Sequence, residues 1–233
     1  IIHAGDESVE IPLPHPMLAL SRKLFDQLLL LEAARAGAIV IQPARCEKIL
    51  PPGSAVIRDL STNAIYLARS DVIVIADGKS AFAPAHPDVT SDLGLKAHFT
   101  HIDGPRDAVE LFALRGHYGG LAAIEDGLWN AAFSVPRELL NARAPNFDAL
   151  LQDSIDCNAA MRKRFVNAKR ITPWLVSPLP RFGIDRNWPA RLIPIGNAAA
   201  ALEPIGGEGM GLALRSAELA AEWIDHNRSR LDR

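Results

Sequence analysis

The chain has 233 residues, 48% hydrophobic and 22% charged, with a formal net charge of -2 and an isoelectric point near 6.4. That length supplies a substantial core, and the near-neutral charge gives no basic surface of the kind that holds nucleic acid. Cys46 and Cys157 are far apart with no metal spacing, and no apolar run reaches the ~18 residues of a membrane span, so the expectation is a reduced, cytoplasmic setting.

Residues 1–18 read as a strand and loop, closed by Pro12, Pro14 and Pro16, which fit neither a helix nor a central strand. Ser21 is placed to cap a helix with Leu24, Phe25, Leu28, Leu29 and Leu31 as its apolar positions and Gly37 as its C′ residue. Ala38–Gln42 follows as a short buried-strand candidate. Pro51, Pro52 and Gly53 mark a turn, and residues 55–58 and 64–68 flank Asp59–Asn63 as a β-hairpin. Asp71–Ala76 is the strongest strand pattern, and its β-branched run predicts burial on both faces. It stops at Asp77-Gly78-Lys79-Ser80, a polar loop at the carboxyl end of a strand, where α/β folds bind ligands.

Between Leu93 and Val135 alternating segments at 95–99, 108–114, 120–124 and 128–135 are separated by turns, with Asp126-Gly127 a strong hairpin signal. They predict an antiparallel sheet of about four strands, the floor of a substrate cavity. Residues 136–170 return to helix, with Pro136 at a helix start. The basic residues Arg162, Lys163, Arg164, Lys169 and Arg170 read as a solvated face. Residues 171–190 are irregular.

An apolar run then stops at Gly196-Asn197. Pro204 and glycines 206, 207, 209 and 211 follow, and a helix begins with Leu212, Leu214, Ala217, Leu219, Ala220 and Trp223 at helical spacing. Glycines at a helix start let backbone N–H groups approach an anionic or electron-rich group. They equally let a helix of small residues pack closely, and both readings stand at this point. The seven histidines offer no ligand spacing for a metal. Ser80 and Ser216 have no histidine partner, there is no G-x-S-x-G, and a hydrolase is not expected. His117 and Tyr118 read as turn residues.

Three of these stretches, in this order, resemble the FAD-dependent oxidoreductases that include aromatic hydroxylases, flavin halogenases and geranylgeranyl reductases. The first is Ser21-Arg22-x-x-Phe25-Asp26-x-x-Leu29. The second is Asp71–Asp77 with Gly78 and Ser80, similar to the family's DG motif. The third is Gly196-Asn197 with Pro204-x-Gly206-Gly207-x-Gly209, similar to its GD motif. Gly207-Glu208-Gly209 with Ala213, Ser216 and Ala217, the turn 116–120, and Glu125-x-Gly127-x-x-Asn130 are closer to the geranylgeranyl reductase-like branch.

The resemblance implies a mixed α/β (α+β) fold, with a Rossmann-like FAD-binding layer and an antiparallel substrate-domain sheet. Residues 1–18 and 91–185 would form the substrate part, and 19–90 and 186–233 the FAD-binding part. It implies FAD as cofactor, NAD(P)H as electron donor, and a hydrophobic or aromatic small molecule as substrate for reduction or oxygenation. Arg22 would approach the phosphate or ribityl region, and Asp77 and Gly78 would organise the diphosphate side. Asn197, beside Gly196, replaces the usual aspartate under the ribityl chain, so weaker FAD binding is expected. Pro204 would flank the isoalloxazine ring, and the N–H groups of Gly206, Gly207, Glu208, Gly209 and Met210 would face its pyrimidine edge. No catalytic acid or base is assigned.

The family's G-x-G-x-x-G strand-turn-helix is not found in these 233 residues, so the FAD layer is expected to be incomplete and the chain a fragment or a truncated relative. The alternative expectation is a non-catalytic relative that binds a hydrophobic ligand or pairs with a separate FAD-binding half. A homo-oligomer and peripheral membrane contact are further expectations for its partners.

Overall fold

The computed structural model describes residues 1–50, 52–78, 82, 92–180, 182–184 and 186–231, with side chains to 228. Lys79, Ser80 and His86 lie outside the described residues. In chain order the elements are β1 (Ile2–Ala4), β2 (Glu7–Val9), α1 (Arg22–Arg35), β3 (Ala44–Leu50), β4 (Ser54–Asp59), β5 (Ile65–Arg69) and β6 (Ile73–Ile75). Next come β7 (Leu93–Thr100), β8 (Val109–Ala113), β9 (Tyr118–Ala123), β10 (Trp129–Val135), α2 (Arg137–Arg143), α3 (Phe147–Cys157) and α4 (Ala159–Arg164). The last are β11 (Lys169–Arg170), β12 (Leu175–Pro178), β13 (Gly183–Ile184), β14 (Leu192–Pro194), β15 (Ala200–Ala201) and α5 (Gly209–Leu231). They divide into a first unit, Ile1–Glu32 with Val89–Leu179, and a second, Ala33–Asp88 with Pro180–Arg233. Among the described residues no helix is long and apolar enough to cross a membrane.

The first unit is a sheet backed by helices. Its strands run β2-β1-β8-β9-β10-β7, and β11 and β12 both pair with the outer edge of β7. All pairs are antiparallel except β1 with β8. Burial alternates along β7, with Leu93, Leu95, Ala97 and Phe99 buried and the residues between them half-exposed. This period of two directs one face to a core closed by Leu140 of α2, Leu150 and Leu151 of α3, and Met161 of α4. The β9–β10 turn is type I′: Asp126 has φ 55° and Gly127 φ 72°, the pair of positive values that Asp-Gly tolerates. Asn146 and Asn158 cap α3 and α4 by accepting from the N–H groups of Ala149 and Met161. His117 ties the β8–β9 turn to α3, with Nε2 3.2 Å from Ser154 Oγ.

Two of the basic residues expected on a solvated face are held by the fold. Arg164 donates from Nε to both carboxylate oxygens of Glu110 at 3.0 Å and from Nη1 to the Asp103 carbonyl. The reason is Glu110, which occupies the core parity of β8 beside Phe112 and is 0% exposed. A carboxylate there requires a cation. Arg170 grips Asp148 through Nε and Nη2, and Trp174 Nε1 donates to the same carboxylate.

These donors, Arg170 first, hold the Asp148 carboxyl below its ordinary value. A depressed carboxyl stabilises the fold above its unfolded pKa, and that stabilisation is lost as pH falls through the folded value. The Asp148→Asn variant should therefore show a shallower loss of urea stability than the parent on acidification below pH ~4. Parallel slopes would remove Asp148 from the acid response.

In the second unit β3, β4 and β5 form an antiparallel sheet with a bulge between Cys46 and Lys48, and β6 pairs in parallel with β14. Three expectations are corrected here. Ala38–Gln42 is not a strand, and Ile39 is 91% exposed. A run this short stays extended in a sheet only with a ladder partner, and none of the described residues pairs with it. The strand lies further on at β3, which turns the predicted hairpin into three strands. The third correction concerns β6, which buries one face only: Ile75 is 4% exposed and Val74 40%, because no described element covers the Val74 side.

The helix signals agree with the structure. Ser21 Oγ accepts from Leu24 N. At the other end Gly37, at φ 95°, and Ala38 donate to the carbonyls of Ala34 and Ala33, a Schellman closure.

Candidate cofactor site

The β6–β14 pair brings two of the motif turns together. Register places Leu192 beside Ile73 and Pro194 beside Ile75, and Ile195 N donates to Ile75 O at 2.9 Å. Both strands therefore leave the sheet at the same carboxyl edge. Asp77 and Gly78 follow β6, and Gly196 and Asn197 follow β14. Gly78 has φ 74° with nothing within 4 Å of where a Cβ would stand. Asn197 is exposed in the 3-10 turn Gly196–Ala198. In open α/β sheets this edge is where a ligand sits.

Helix α5 packs onto the same turn. Ser216 Oγ accepts from Gly196 N at 2.8 Å and donates to Ala213 O at 2.9 Å. A Cβ on Gly196, which has φ 56°, would stand 3.2 Å from Ala213 Cβ. Ala213 and Ser216, noted in the sequence as part of a branch resemblance and, for Ser216, as a serine without a histidine partner, are thus the residues that seat α5 on the turn.

Between turn and helix, Pro204 opens the 3-10 turn Pro204–Gly206, and Gly207 adopts the left-handed conformation at φ 67°, its N–H donating to Pro204 O. With Gly207 so engaged, the free donors belong to the first turn of α5, where N–H groups have no intrahelical acceptor. No acidic side chain lies in that turn, and Gly209 and Gly211 have open space around them. Glu208, exposed, precedes the helix and accepts from Leu212 N at its carbonyl; Met210 is half-buried in the first turn.

Arg22 belongs to the first unit, whereas the other ten predicted site residues belong to the second. It opens α1, and its Nε and Nη2 grip both oxygens of Asp26 at 3.0 and 2.9 Å. The Arg22-x-x-x-Asp26 spacing is therefore at least an i,i+4 helix pair.

Cys46, read in the sequence only for metal spacing, lies on β3, which was not predicted. Burial, with the Asp77 charge adding to it and the Lys48 hydrogen bond opposing, pushes its thiol above the ordinary value. Cys46 is exposed, and the shift favours its thiol form over the thiolate.

The residues present fit one side of a flavin site: two glycine-containing turns at adjacent parallel strand ends, and a glycine-lined first helical turn that carries no acidic side chain and is preceded by exposed Glu208. No family model matches the chain, and no curated protein sequence matches it. Solved structures do. A myxobacterial chondrochloren halogenase, described as a variant of FAD-dependent halogenases, aligns with a TM-score of 0.77 and 22% identity over 87% of this chain and 50% of its own. A flavin-dependent brominase aligns at 0.75 with 18% identity, over 92% of this chain and 58% of its own. A geranylgeranyl bacteriochlorophyll reductase-like protein from Thermoplasma acidophilum aligns at 0.71 with 20% identity, over 91% and 55%.

The fold is that of the FAD-dependent oxidoreductases.

The chain spans about half to three fifths of the length of these structures. Halogenase and reductase-like neighbours align comparably, so the fold is common to both branches.

Proposed function

We propose that the chain is part of an FAD-dependent oxidoreductase that uses NAD(P)H and acts on a hydrophobic or aromatic small molecule. The observation that carries this reading is the meeting of Asp77-Gly78 and Gly196-Asn197 at adjacent parallel strand ends, within a fold shared with flavoproteins. FAD, when bound, supplies two-electron redox chemistry. The chain's own residues bind and orient: the first-turn N–H groups of α5 face negative charge, favoured by the helix dipole. Asn197 offers an amide to a hydroxyl, and the side-chain-free turns allow close approach.

The test is titration of the chain with FAD, followed by visible absorption and fluorescence quenching, then NAD(P)H oxidation by any complex formed. Saturable binding is expected, and Asn197→Asp should tighten it about tenfold by restoring a charged acceptor. Absence of any bound flavin in both proteins would refute the proposal.

A second reading has one observation behind it. Ile39, Ile41 and Val74 of the second unit, and Leu212 and Trp223 of α5, are each exposed, apolar side chains of the kind that a separate flavin-binding half would cover. Co-purification of a flavoprotein fragment carrying G-x-G-x-x-G would support it, and a monomeric chain that binds FAD by itself would count against it.

A further inference from the structure

The cluster shared by β1, β2 and β8 in the first unit holds a chain of hydrogen bonds that the strand-end turns of the second unit do not use. Ser8 Oγ of β2 lies 2.7 Å from His3 Nδ1, and His3 Nε2 lies 2.8 Å from Glu110 Oε1. Burial deepens in the same order: Ser8 is exposed, His3 is 4% exposed and Glu110 0%. Unlike the serines weighed in the sequence, Ser8 therefore has a histidine partner. A hydroxyl, a histidine within hydrogen-bond reach and a buried carboxylate that orients the histidine form the arrangement that activates a nucleophile. It is recognised by geometry and not by sequence order.

The hydrogens follow from the partners. A carboxylate only accepts, so the hydrogen between Glu110 and His3 belongs to Nε2. Arg164 donates to both Glu110 oxygens and supplies the cation that the buried charge requires. A neutral His3 ring thus satisfies the cluster, and its Nδ1 is left to accept from the Ser8 hydroxyl. Stacking on Phe112 holds the plane of the ring. The hairpin also frees a backbone donor. Gly5, at φ 60°, and Asp6 make a two-residue turn between Ala4 and Glu7, and such a turn is closed by a hydrogen-bonded pair. Alternation makes His3–Ser8 the next, non-hydrogen-bonded pair, with its side chains close together and the Ser8 N–H directed away from β1. Since β2 is the last strand of the sheet, that N–H faces an open edge. The backbone N–H of a nucleophilic residue is one of the donors that hold a developing oxyanion.

We propose that Ser8, His3 and Glu110 form an acyl-transfer site that hydrolyses small esters with a good leaving group at the open edge of β2. Ser8 Oγ bonds to the ester carbonyl carbon while its proton passes to His3 Nδ1. The ester C–O bond breaks, and the leaving oxygen takes that proton. A water molecule then bonds to the acyl carbon, giving a proton to the same nitrogen, and the acyl–Ser8 bond breaks as Ser8 Oγ takes the proton back. Glu110 is a positioning residue that fixes the ring and its tautomer. The site goes beyond the oxidoreductase reading and does not rest on it.

The full chain, without flavin, is incubated with p-nitrophenyl acetate. Release of p-nitrophenolate is followed by absorbance, and after an acid quench the acetyl group is located by peptide mass spectrometry. The parent should carry acetyl on Ser8. Ser8→Ala, an exposed substitution that leaves His3 on Glu110, should lose this label and the release that goes with it. His3→Gln should slow Ser8 acetylation about 100-fold, the lower end for a general base. Because His3 is buried, its role is also read in the unsubstituted protein: ring-nitrogen NMR should find the hydrogen on Nε2 and none on Nδ1. Glu110→Gln, whose amide donates as well as accepts, should slow acetylation and bring the Nδ1–H tautomer into the spectrum. The proposal is overturned if the acetyl group lies elsewhere in the parent, or if Ser8→Ala releases p-nitrophenolate as fast as the parent. It is equally overturned if His3→Gln or Glu110→Gln acetylates Ser8 at the parent rate, or if Nδ1 carries the ring hydrogen. Because FAD is absent from this assay, its failure and a failed FAD titration are separate results.

Discussion

Replacing Glu110 with leucine is expected to cost ~3–5 kcal/mol of folding stability, the range for breaking a buried charge pair by removing one partner. Glu110 is fully buried and serves two strands and a helix at once. His3 of β1, 4% exposed, meets Glu110 Oε1 through Nε2 at 2.8 Å, and Arg164 meets both oxygens. The His3 ring also stacks on Phe112 with centroids 5.0 Å apart, and its Nδ1 lies 2.7 Å from Ser8 Oγ of β2. The carboxylate therefore pins the β1–β2 hairpin onto β8 and fixes the end of α4.

Leucine would leave His3 and Arg164 without their acceptor. The Arg164 side chain is 23% exposed, so water rescues part of its charge, and the expected loss sits at the lower end, ~3 kcal/mol. Replacing the set together, with His3→Leu and Arg164→Met added, should recover most of the stability, because no buried charge then lacks a partner. Urea unfolding of the single and triple variants measures both. A single-variant loss under ~1 kcal/mol, typical of a surface pair, would show that the cluster does not hold the hairpin.

How much of this was legible depends on the range of the interaction that decides each feature. Asp126-Gly127 could be read directly, since a type I′ turn needs only two residues that accept positive φ. Ser21, Gly37 and the Arg22–Asp26 pair are equally local. Ala38–Gln42 was misread because apolar, β-branched residues report a wish for burial and not the presence of a ladder partner. β3 was missed for the converse reason: Arg45, Glu47 and Lys48 hide a strand whose place is set by pairing with β4. Glu110 did leave a signal, a carboxylate at the core parity of a strand two residues from Phe112. That pattern demands a buried cation, and it takes Arg164 out of the solvated face. At the strand-end site the glycines were visible, whereas the partnership of Gly196 with Ser216 joins residues twenty apart and emerges only once α5 is seated.

That partnership makes Gly196→Val the variant with the largest expected effect on the proposed cofactor site. Two independent objections meet at this position. Its φ of 56° lies in the left-handed region, which costs a residue with Cβ ~1–2 kcal/mol, and a β-branched side chain more. A Cβ would also stand 3.2 Å from Ala213 Cβ, on a helix already held by the Ser216 bridge. The turn can escape only by rotating, and rotation carries Asn197 away from the edge it shares with Asp77.

Gly196→Val should therefore lower stability by ~2–3 kcal/mol and abolish FAD binding in the titration described above. Gly196→Ala separates the two causes. In the Ala213→Gly background the crowding disappears while the backbone strain remains, so the alanine should cost less there than in the parent, after allowing ~1 kcal/mol for glycine within a helix. Equal costs in both backgrounds would assign the whole effect to φ. A Gly196→Val protein that binds FAD like the parent would show that the β14 turn lies away from the cofactor.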